Sequence, residues 1–337
     1  MNPDTDDLSL QDLCEVIATL TDLHEGPEGV ETLVRIVYEN QPIAPRDVAR
    51  KMGLPIPLVS AIRREFEKEG WMLRKGGMVL SPEAEAKART LWGKARFEHA
   101  SETVEPEQGP SDFLDRIVQL RPSAERSLDQ SHATRKTLVN RANHFIEEGL
   151  IQGKRVLFLG DDDLTSLATL QLLREKRGKE ALGSCEVTVL ELDERLVELI
   201  KSIGERERFP IRVEKVDLRE KLPQGLAGQF DFFFTDPPYT PAGAELFLDR
   251  GCEALRQVSG VRANLAIPLS PPALQMATQE ILLRKGFFID YLLPAFNHYL
   301  GATMQGGVSA LYGLTLRNPN RFEGEGHTGP LYTREVR

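Results

Sequence analysis

A chain of 337 residues is longer than one hydrophobic core usually fills, so two domains are expected. Its make-up, 41% hydrophobic and 28% charged, is that of a water-soluble globular protein, and a net charge of -9 suits a cationic ligand better than nucleic acid, which needs a basic face. Cys14, Cys185 and Cys252 lie far apart with no Cys-x-x-Cys, which argues against a zinc site or a disulfide framework and for reduced thiols in a cytoplasmic protein. The opening Met1-Asn2-Pro3-Asp4-Thr5-Asp6-Asp7 lacks the basic and apolar regions of a signal peptide, and no run reaches the roughly 20 apolar residues of a membrane span.

From the amino terminus, residues 8–24 and 29–39 carry helical spacing, with Leu33, Ile36 and Val37 on one face. Pro45 to Met52 reads as a short helix with proline in its first turn and Gly53 past its end. Pro57 opens a further helix through Glu69, with Leu58, Ile62 and Phe66 four residues apart. Trp71-Met72-Leu73 and Met78-Val79-Leu80 flank Arg74-Lys75-Gly76-Gly77, the pattern of a hairpin, and Ser81-Pro82-Glu83 starts another helix. Helices followed by a β wing resemble a winged-helix domain over residues 1–100. DNA binding would need the wing and its helix to be basic, yet across residues 62–75 Arg63, Arg64, Lys68, Arg74 and Lys75 face Glu65, Glu67 and Glu69. An accessory packing or dimerisation module is the better expectation. The polar stretch 101–112 reads as the linker to a second domain over 113–337.

In that second domain seven strand-like runs appear: Val156–Gly160, Val187–Leu192, Arg212–Val216, Phe230–Thr235, Asn264–Leu269, Phe287–Leu293 and Ala310–Leu316. Helical stretches Thr165–Lys176, Glu194–Ser202, Ala242–Gln257 and Pro272–Lys285 separate most of them, and the unbroken Phe232-Phe233-Phe234 suits a parallel strand covered on both faces. The alternation predicts a doubly wound sheet. Only a loop with Gly301, Gly306 and Gly307 divides the last two runs, which should form an antiparallel edge hairpin. This is the α/β pattern of a Rossmann-like, methyltransferase-type seven-stranded sheet.

Ligands of such sheets lie across the carboxyl ends of the strands, and here each of the first four ends carries acid. Glu191, with Asp193 two residues on, ends the second run; a carboxylate there can accept both ribose hydroxyls. Asp217 and Leu218 follow the third, an acceptor for an adenine amino group and an apolar face for its ring. Asp236-Pro237-Pro238-Tyr239 follows the fourth; its prolines fix an extended turn that aims acid and aromatic ring at an amine, a signature shared with amino-methyltransferases.

The first end is the unusual one: Gly160 is followed by Asp161, Asp162 and Asp163. A methyltransferase normally keeps several glycines here, so that backbone N–H groups can receive the methionine carboxylate of adenosylmethionine. Next to three acids a carboxylate would meet repulsion of about 1 kcal/mol per close pair even in water. Decarboxylated adenosylmethionine ends instead in an ammonium and would be attracted.

Gly160-Asp161-Asp162-Asp163, Asp236-Pro237-Pro238, the segment Leu128-Asp129-Gln130-Ser131-His132-Ala133-Thr134 and the winged-helix-like start together resemble the branched-chain polyamine synthase family. The resemblance implies N4-bis(aminopropyl)spermidine synthesis, in which two aminopropyl groups pass from decarboxylated adenosylmethionine to the central nitrogen of spermidine, with that donor as co-substrate and no tightly bound cofactor. It also implies a cytoplasmic homodimer, and it matches Asp162 to the family's key catalytic aspartate. Asp161, Asp163, Asp236 and Tyr239 are then expected to bind the polyamine. Gly160, Glu191, Asp193, Asp217, Leu218, Gln130 and Asp129 are expected to bind the donor. His132 and His298 are weaker candidates for a base, and Asn297-His298-Tyr299 for part of a mobile lid. The alternatives are an N-methyltransferase, a linear spermidine or spermine synthase, and a regulator that uses the sheet as a sensor.

Overall fold

A computed structural model describes residues 9–23, 25–52, 54, 56–93, 112–269, 272–300 and 307–319. The chain divides into two compact units, Met1–Pro106 and Glu107–Arg337. The expected linker, apart from Asp112, and the glycines Gly53, Gly301 and Gly306 lie outside the described residues.

The first unit holds α1 (Leu10–Leu20), α2 (Gly26–Asn40), α3 (Pro45–Met52), α4 (Ile56–Lys68), the strands β1 (Met72–Arg74) and β2 (Met78–Leu80), and α5 (Pro82–Trp92). Ser9 and Asp12 cap α1 reciprocally, and Ser81 caps α5, satisfying amide groups that a helix start leaves without partners. The strands pair antiparallel about a turn that contains Gly76 at φ 73°, and Ile43 bridges to Met78 beside them. Val30, Leu33, Val37, Val59, Ile62, Phe66, Met78 and Trp92 fill one core. Three basic residues of α4 and the hairpin turn to glutamates of α4, Arg63 and Arg74 to Glu67 at 3.2 and 2.8 Å and Lys68 to Glu65 at 2.7 Å, while Arg64 donates to Ser60 O at 3.1 Å.

The second unit opens with helices that sequence spacing had left unassigned. These are α6 (Asp112–Leu120), a 3₁₀ turn at Arg126–Leu128 and α7 (Arg135–Glu147). Then β3 (Arg155–Leu159), α8 (Thr165–Arg177), α9 (Lys179–Gly183), β4 (Glu186–Glu191), α10 (Glu194–Glu207), β5 (Ile211–Lys215), β6 (Phe232–Thr235), α11 (Pro241–Ala254), β7 (Arg262–Ile267), α12 (Pro272–Arg284), β8 (Phe287–His298) and β9 (Val308–Leu316) follow. The sheet runs β5-β4-β3-β6-β7-β9-β8; β3 to β7 are mutually parallel, and β9 is antiparallel to both of its neighbours.

Successive side chains of a strand face opposite ways, and the cores divide accordingly. Val156, Phe158, Phe232 and Phe234 pack under α6, α7, α8 and α10, whereas Leu157, Leu159 and Phe233 pack under α11 and α12. Two expected strands differ. Phe230 lies before β6 and only bridges Leu255, because Asp231 turns to bond Arg155 N. β8 runs past the expected end at Leu293 to His298 through register shifts beyond Ile289 and Leu293, the second of them spanning Pro294 and the left-handed Ala295 (φ 50°).

Strand order reverses between β3 and β6, so the turns after β3, β4 and β6 converge on one crevice. Close packing of α11 on β6 fixes the last of these turns, since a Cβ at Gly251 would fall 2.3 Å from the Phe233 ring. Gly251→Ala should therefore destabilise by about 1–3 kcal/mol from overpacking, more than the roughly 1 kcal/mol that alanine gains in helix propensity. Thermal unfolding should show a lower Tm, partly restored by adding Phe233→Leu; an unchanged or higher Tm would mean that the ring yields.

Candidate active site

The turn after β3 begins with Gly160 at φ 70°, a conformation that suits a residue without Cβ, and ends with Leu164 at φ 61°. Between them the three aspartates diverge. Asp161 is buried and accepts from Ser166 N (3.2 Å) and Ser166 Oγ, capping the start of α8. Asp163, also buried, accepts from Ala133 N and, at 2.8 Å, from Arg141 Nη1. Asp162 is partly exposed, and its carboxylate makes no hydrogen bond or ion pair among the described residues. Burial nevertheless pushes its pKa well above the carboxylate range, assisted by Asp163, Asp236 and Glu191 and opposed by Arg141.

Arg141 stands at the centre. Thr134 caps α7 through Thr137 N, and Leu138, Ala142, Phe145 and Ile146 bury one face of the helix, which carries Arg141 inward with no exposure. Its five N–H groups meet five acceptors: Nε donates to Asn297 Oδ1 (2.7 Å), Nη1 to Asp163 Oδ2 and Thr165 Oγ1 (3.3 Å), and Nη2 to Asp236 Oδ2 (2.6 Å) and Tyr299 Oη (2.9 Å). The guanidinium also lies 4.9 Å from the centre of the Phe234 ring. Burial by itself disfavours its charge, but Tyr299, Asp236 and Asp163 more than offset this, and its pKa is raised.

Asp236 is held on every side. Besides Arg141, its Oδ2 accepts from Tyr299 Oη (2.6 Å), and its Oδ1 accepts from Tyr239 Oη (3.1 Å). The two tyrosine rings stand edge to face, 6.3 Å apart. Tyr299 Oη also meets Ser309 Oγ at 2.9 Å, which receives Asn297 Nδ2 at 3.0 Å. Burial raises the Asp236 pKa, against the pull of Arg141.

Glu191 is buried, which raises its pKa, and accepts three backbone N–H groups: Asp161 (2.8 Å), Leu192 (2.8 Å) and Asp193 (2.9 Å). Asp193 caps α10 at Arg195 N, pairs with Arg195 Nη2 at 2.6 Å and receives Gln130 Nε2 at 3.3 Å, so Gln130 reaches the second strand end. Asp129 adopts the left-handed conformation (φ 56°) beside it. Asp217 is partly exposed with its pKa held low by the Arg219 side chain (2.6 Å), and Leu218 is buried among Val216 and Leu222.

Neither histidine meets the aspartate turn through its ring in a hydrogen bond that would mark a base. His132 O accepts from Leu300 N, and burial lowers the pKa of its ring; His298 is exposed and pairs through its backbone with Thr134 and Thr137. Asn297 and Tyr299, expected in a mobile lid, are buried and bonded to Arg141, so they form a wall of the site. Arg121 is a second buried cation; its Nη1 donates to Ala133 O at 2.8 Å, and Asp163, Asp162 and Asp161 attract it. Arg141, Ser309 and Ser166 were not expected as site residues, and Asn297 and Tyr299 were expected only as lid residues. The Thr134 cap and the apolar spacing of 138, 142, 145 and 146 could have disclosed α7 and so placed Arg141 on its inner side.

Five carboxyls thus gather around two buried guanidiniums, so that acid outweighs base at the crevice where the strand order reverses. The strand order, with one antiparallel strand beside the edge, is that of the methyltransferase-type fold. The family model for the carboxy-terminal domain of branched-chain polyamine synthase A matches residues 112–323. This chain belongs to the branched-chain polyamine synthase family. It is 34% identical to an uncharacterized protein of Methanocaldococcus jannaschii, over 90% of this chain and 77% of that one. To the N(4)-bis(aminopropyl)spermidine synthases of Thermus thermophilus and M. jannaschii it is 37% and 31% identical, over 53% and 60% of its own length. Those matches span 50% and 57% of the two synthases. The crystal structure of the T. thermophilus branched-chain polyamine synthase with N4-aminopropylspermidine and 5'-methylthioadenosine shares the fold, with TM-score 0.58 at 23% identity and 99% of each chain covered.

Between the ordinary carboxylate range and its raised folded value, the native protein holds the Asp162 proton more tightly than the unfolded chain does, so stability falls as pH climbs through that window. Asp162→Asn should accordingly melt above the parent protein at pH 8–9, with the gap closing towards pH 4. A lower Tm for the variant at pH 8–9 would show that the ionised carboxylate is a stabilising group.

Proposed function

We propose that this protein transfers aminopropyl groups from decarboxylated S-adenosylmethionine to the central nitrogen of spermidine, twice, giving N4-bis(aminopropyl)spermidine and methylthioadenosine. The observation that carries the reading is Asp162: a carboxylate with no bonded partner, partly open, within a site whose acids outnumber its cations. The names of the T. thermophilus and M. jannaschii relatives support it. So does the first turn, which offers a methionine carboxylate no run of glycines and faces it with acid.

In the proposed reaction Asp162 removes the proton from the central ammonium of spermidine and holds the nitrogen in line; such positioned bases contribute about 10²–10⁴-fold. The nitrogen lone pair forms a bond to the propyl carbon next to the sulfonium, the carbon–sulfur bond breaks, and its electron pair leaves on the thioether of methylthioadenosine. Asp162 releases that proton to solvent and takes the proton of the tertiary ammonium; the freed tertiary amine attacks a second donor, a second methylthioadenosine leaves with the electron pair of its carbon–sulfur bond, and the product nitrogen carries four carbons and a permanent charge. A quaternary nitrogen has no N–H to donate, so carboxylate charge and aromatic faces must stabilise it, the part given to Asp162, Tyr239 and Tyr299. Glu191 takes ribose hydroxyls, Asp217 and Leu218 receive the adenine, and Asp129, Gln130, Asp193 and Gly160 shape the donor side. Asp161, Asp163 and Asp236 add field from fixed positions.

The amino-terminal unit is proposed as a winged-helix-like accessory module rather than a nucleic-acid reader, since glutamates of α4 already pair with Arg63, Lys68 and Arg74. A homodimer acting in the cytoplasm completes the reading. Among the described residues no helix is long and apolar enough to cross a membrane.

Incubating the protein with spermidine and each donor, then fragmenting the products by mass spectrometry, tests the reaction. Branched mono- and bis-aminopropyl products are expected from the decarboxylated donor; methylated amine from adenosylmethionine, or linear spermine alone, would overturn the proposal. Asp162→Asn should cut kcat by at least about 10²-fold with donor affinity kept, and full turnover would mean that another group is the base. Tyr239→Leu should raise the ratio of mono- to bis-substituted product, which chromatography of timed reactions can follow.

A further inference from the structure

We infer that Arg141 is a positioning residue for this reaction: its fully bonded fork holds Asp163 and Asp236 in fixed ion pairs, so that Asp162 alone, among the described acids of the site, is left to meet the attacking amine. The inference rests on the proposed aminopropyl transfer for its chemistry and on the geometry of the fork for its substance.

A triplet of aspartates in one turn has no reason of its own to present only the middle one. Asp161 is turned away by the Ser166 amide and hydroxyl. Asp163 is turned by Ala133 N and Arg141 Nη1, and Asp236 by Arg141 Nη2 and two tyrosine hydroxyls. Arg141 is the single residue common to both outer restraints. Its planar fork fixes the angle between the two carboxylates, which a lysine, a point charge, cannot do. Asn297 and Tyr299 in turn fix the rotation of the fork from β8.

The clamp also sets charge. Two carboxylates and one guanidinium leave a net of one negative beside Asp162. The charged groups that act on Asp162 are Asp163, Glu191 and Asp236 on one side of the balance and Arg141 and Arg121 on the other, while burial pushes the pKa of the neighbouring Asp161 up to about 8. Burial, with help from Arg121 and against Asp163, lowers the pKa of His132. Removing the Arg141 charge must raise the basicity of Asp162 and shift the acidic limb of activity to higher pH. Removing the Asp163 charge must shift it to lower pH. Removing both restores the original net charge.

The test is the pH profile of kcat/KM for branched product in the parent protein, Arg141→Met, Asp163→Asn, the double variant Arg141→Met/Asp163→Asn, and Arg141→Lys. The same pH series is followed for spermidine binding by calorimetry. Expected are a limb displaced upward by about one unit or more in Arg141→Met, downward in Asp163→Asn and near its original position in the double variant. Arg141→Lys should keep the limb but lose about 10-fold or more in kcat, because charge remains and the fork does not. Should Arg141→Met not fold, Asp163→Asn and Arg141→Lys carry the test alone. A limb unmoved in Asp163→Asn, or full kcat in Arg141→Lys, overturns the inference. A parent protein that forms no aminopropyl product refutes the proposed function instead, and the pH series of spermidine binding then still reports on the clamp.

Discussion

Burying a guanidinium away from water is costly unless each of its donors is met, and in this protein Arg141 has no exposure and all five donors met. The acceptors come from the turn after β3, the start of α8, the end of β6 and the end of β8. One side chain on a helix outside the sheet therefore gathers parallel strands and the antiparallel edge into a single rigid site. Losing one partner of such a buried pair typically costs about 3–5 kcal/mol, so the arrangement is held by its own penalty for coming apart.

The constraint explains how three adjacent aspartates coexist. Left to themselves they would repel one another, and the turn would open. Instead Asp161 serves the α8 terminus, where the helix dipole and free amides favour an anion, and Asp163 serves Arg141. Among the described residues the middle carboxylate of the three is the one without a bonded partner, and burial holds it against ionisation. For the proposed reaction such a group suits a base for ammonium ions, because the charge of a cationic substrate would supply the stabilisation that the protein withholds.

Much of this architecture is written in local patterns. The strand positions, the acid at each of the first four strand ends and the antiparallel final pair follow from apolar runs and their punctuation, because a parallel strand covered on both faces must be continuously apolar and the turns after it must be polar. The division of labour within the aspartate turn is not written there. It depends on Arg141, whose partners lie 22, 95 and 156 residues further along the chain: the spacing around it can place it on the inner side of α7, but not tell which acids it meets there. Likewise Pro294 and Ala295 read as the end of a strand, although the chain resumes pairing beyond them and delivers Asn297 and Tyr299 to the site. Patterning reports which residues are inside; long-range pairing decides which of them are engaged.

Glu191 ties these halves together in another sense. A carboxylate has about four acceptor directions, and here three are taken by the amides of Asp161, Leu192 and Asp193. One anion thus supports the turn that carries Asp162 and the turn on the nucleoside side at once. In the proposed reaction a sugar hydroxyl at Glu191 would enter the same small set of bonds that orients the aspartate turn, so that the two halves of the crevice share one side chain and need no moving loop to be joined.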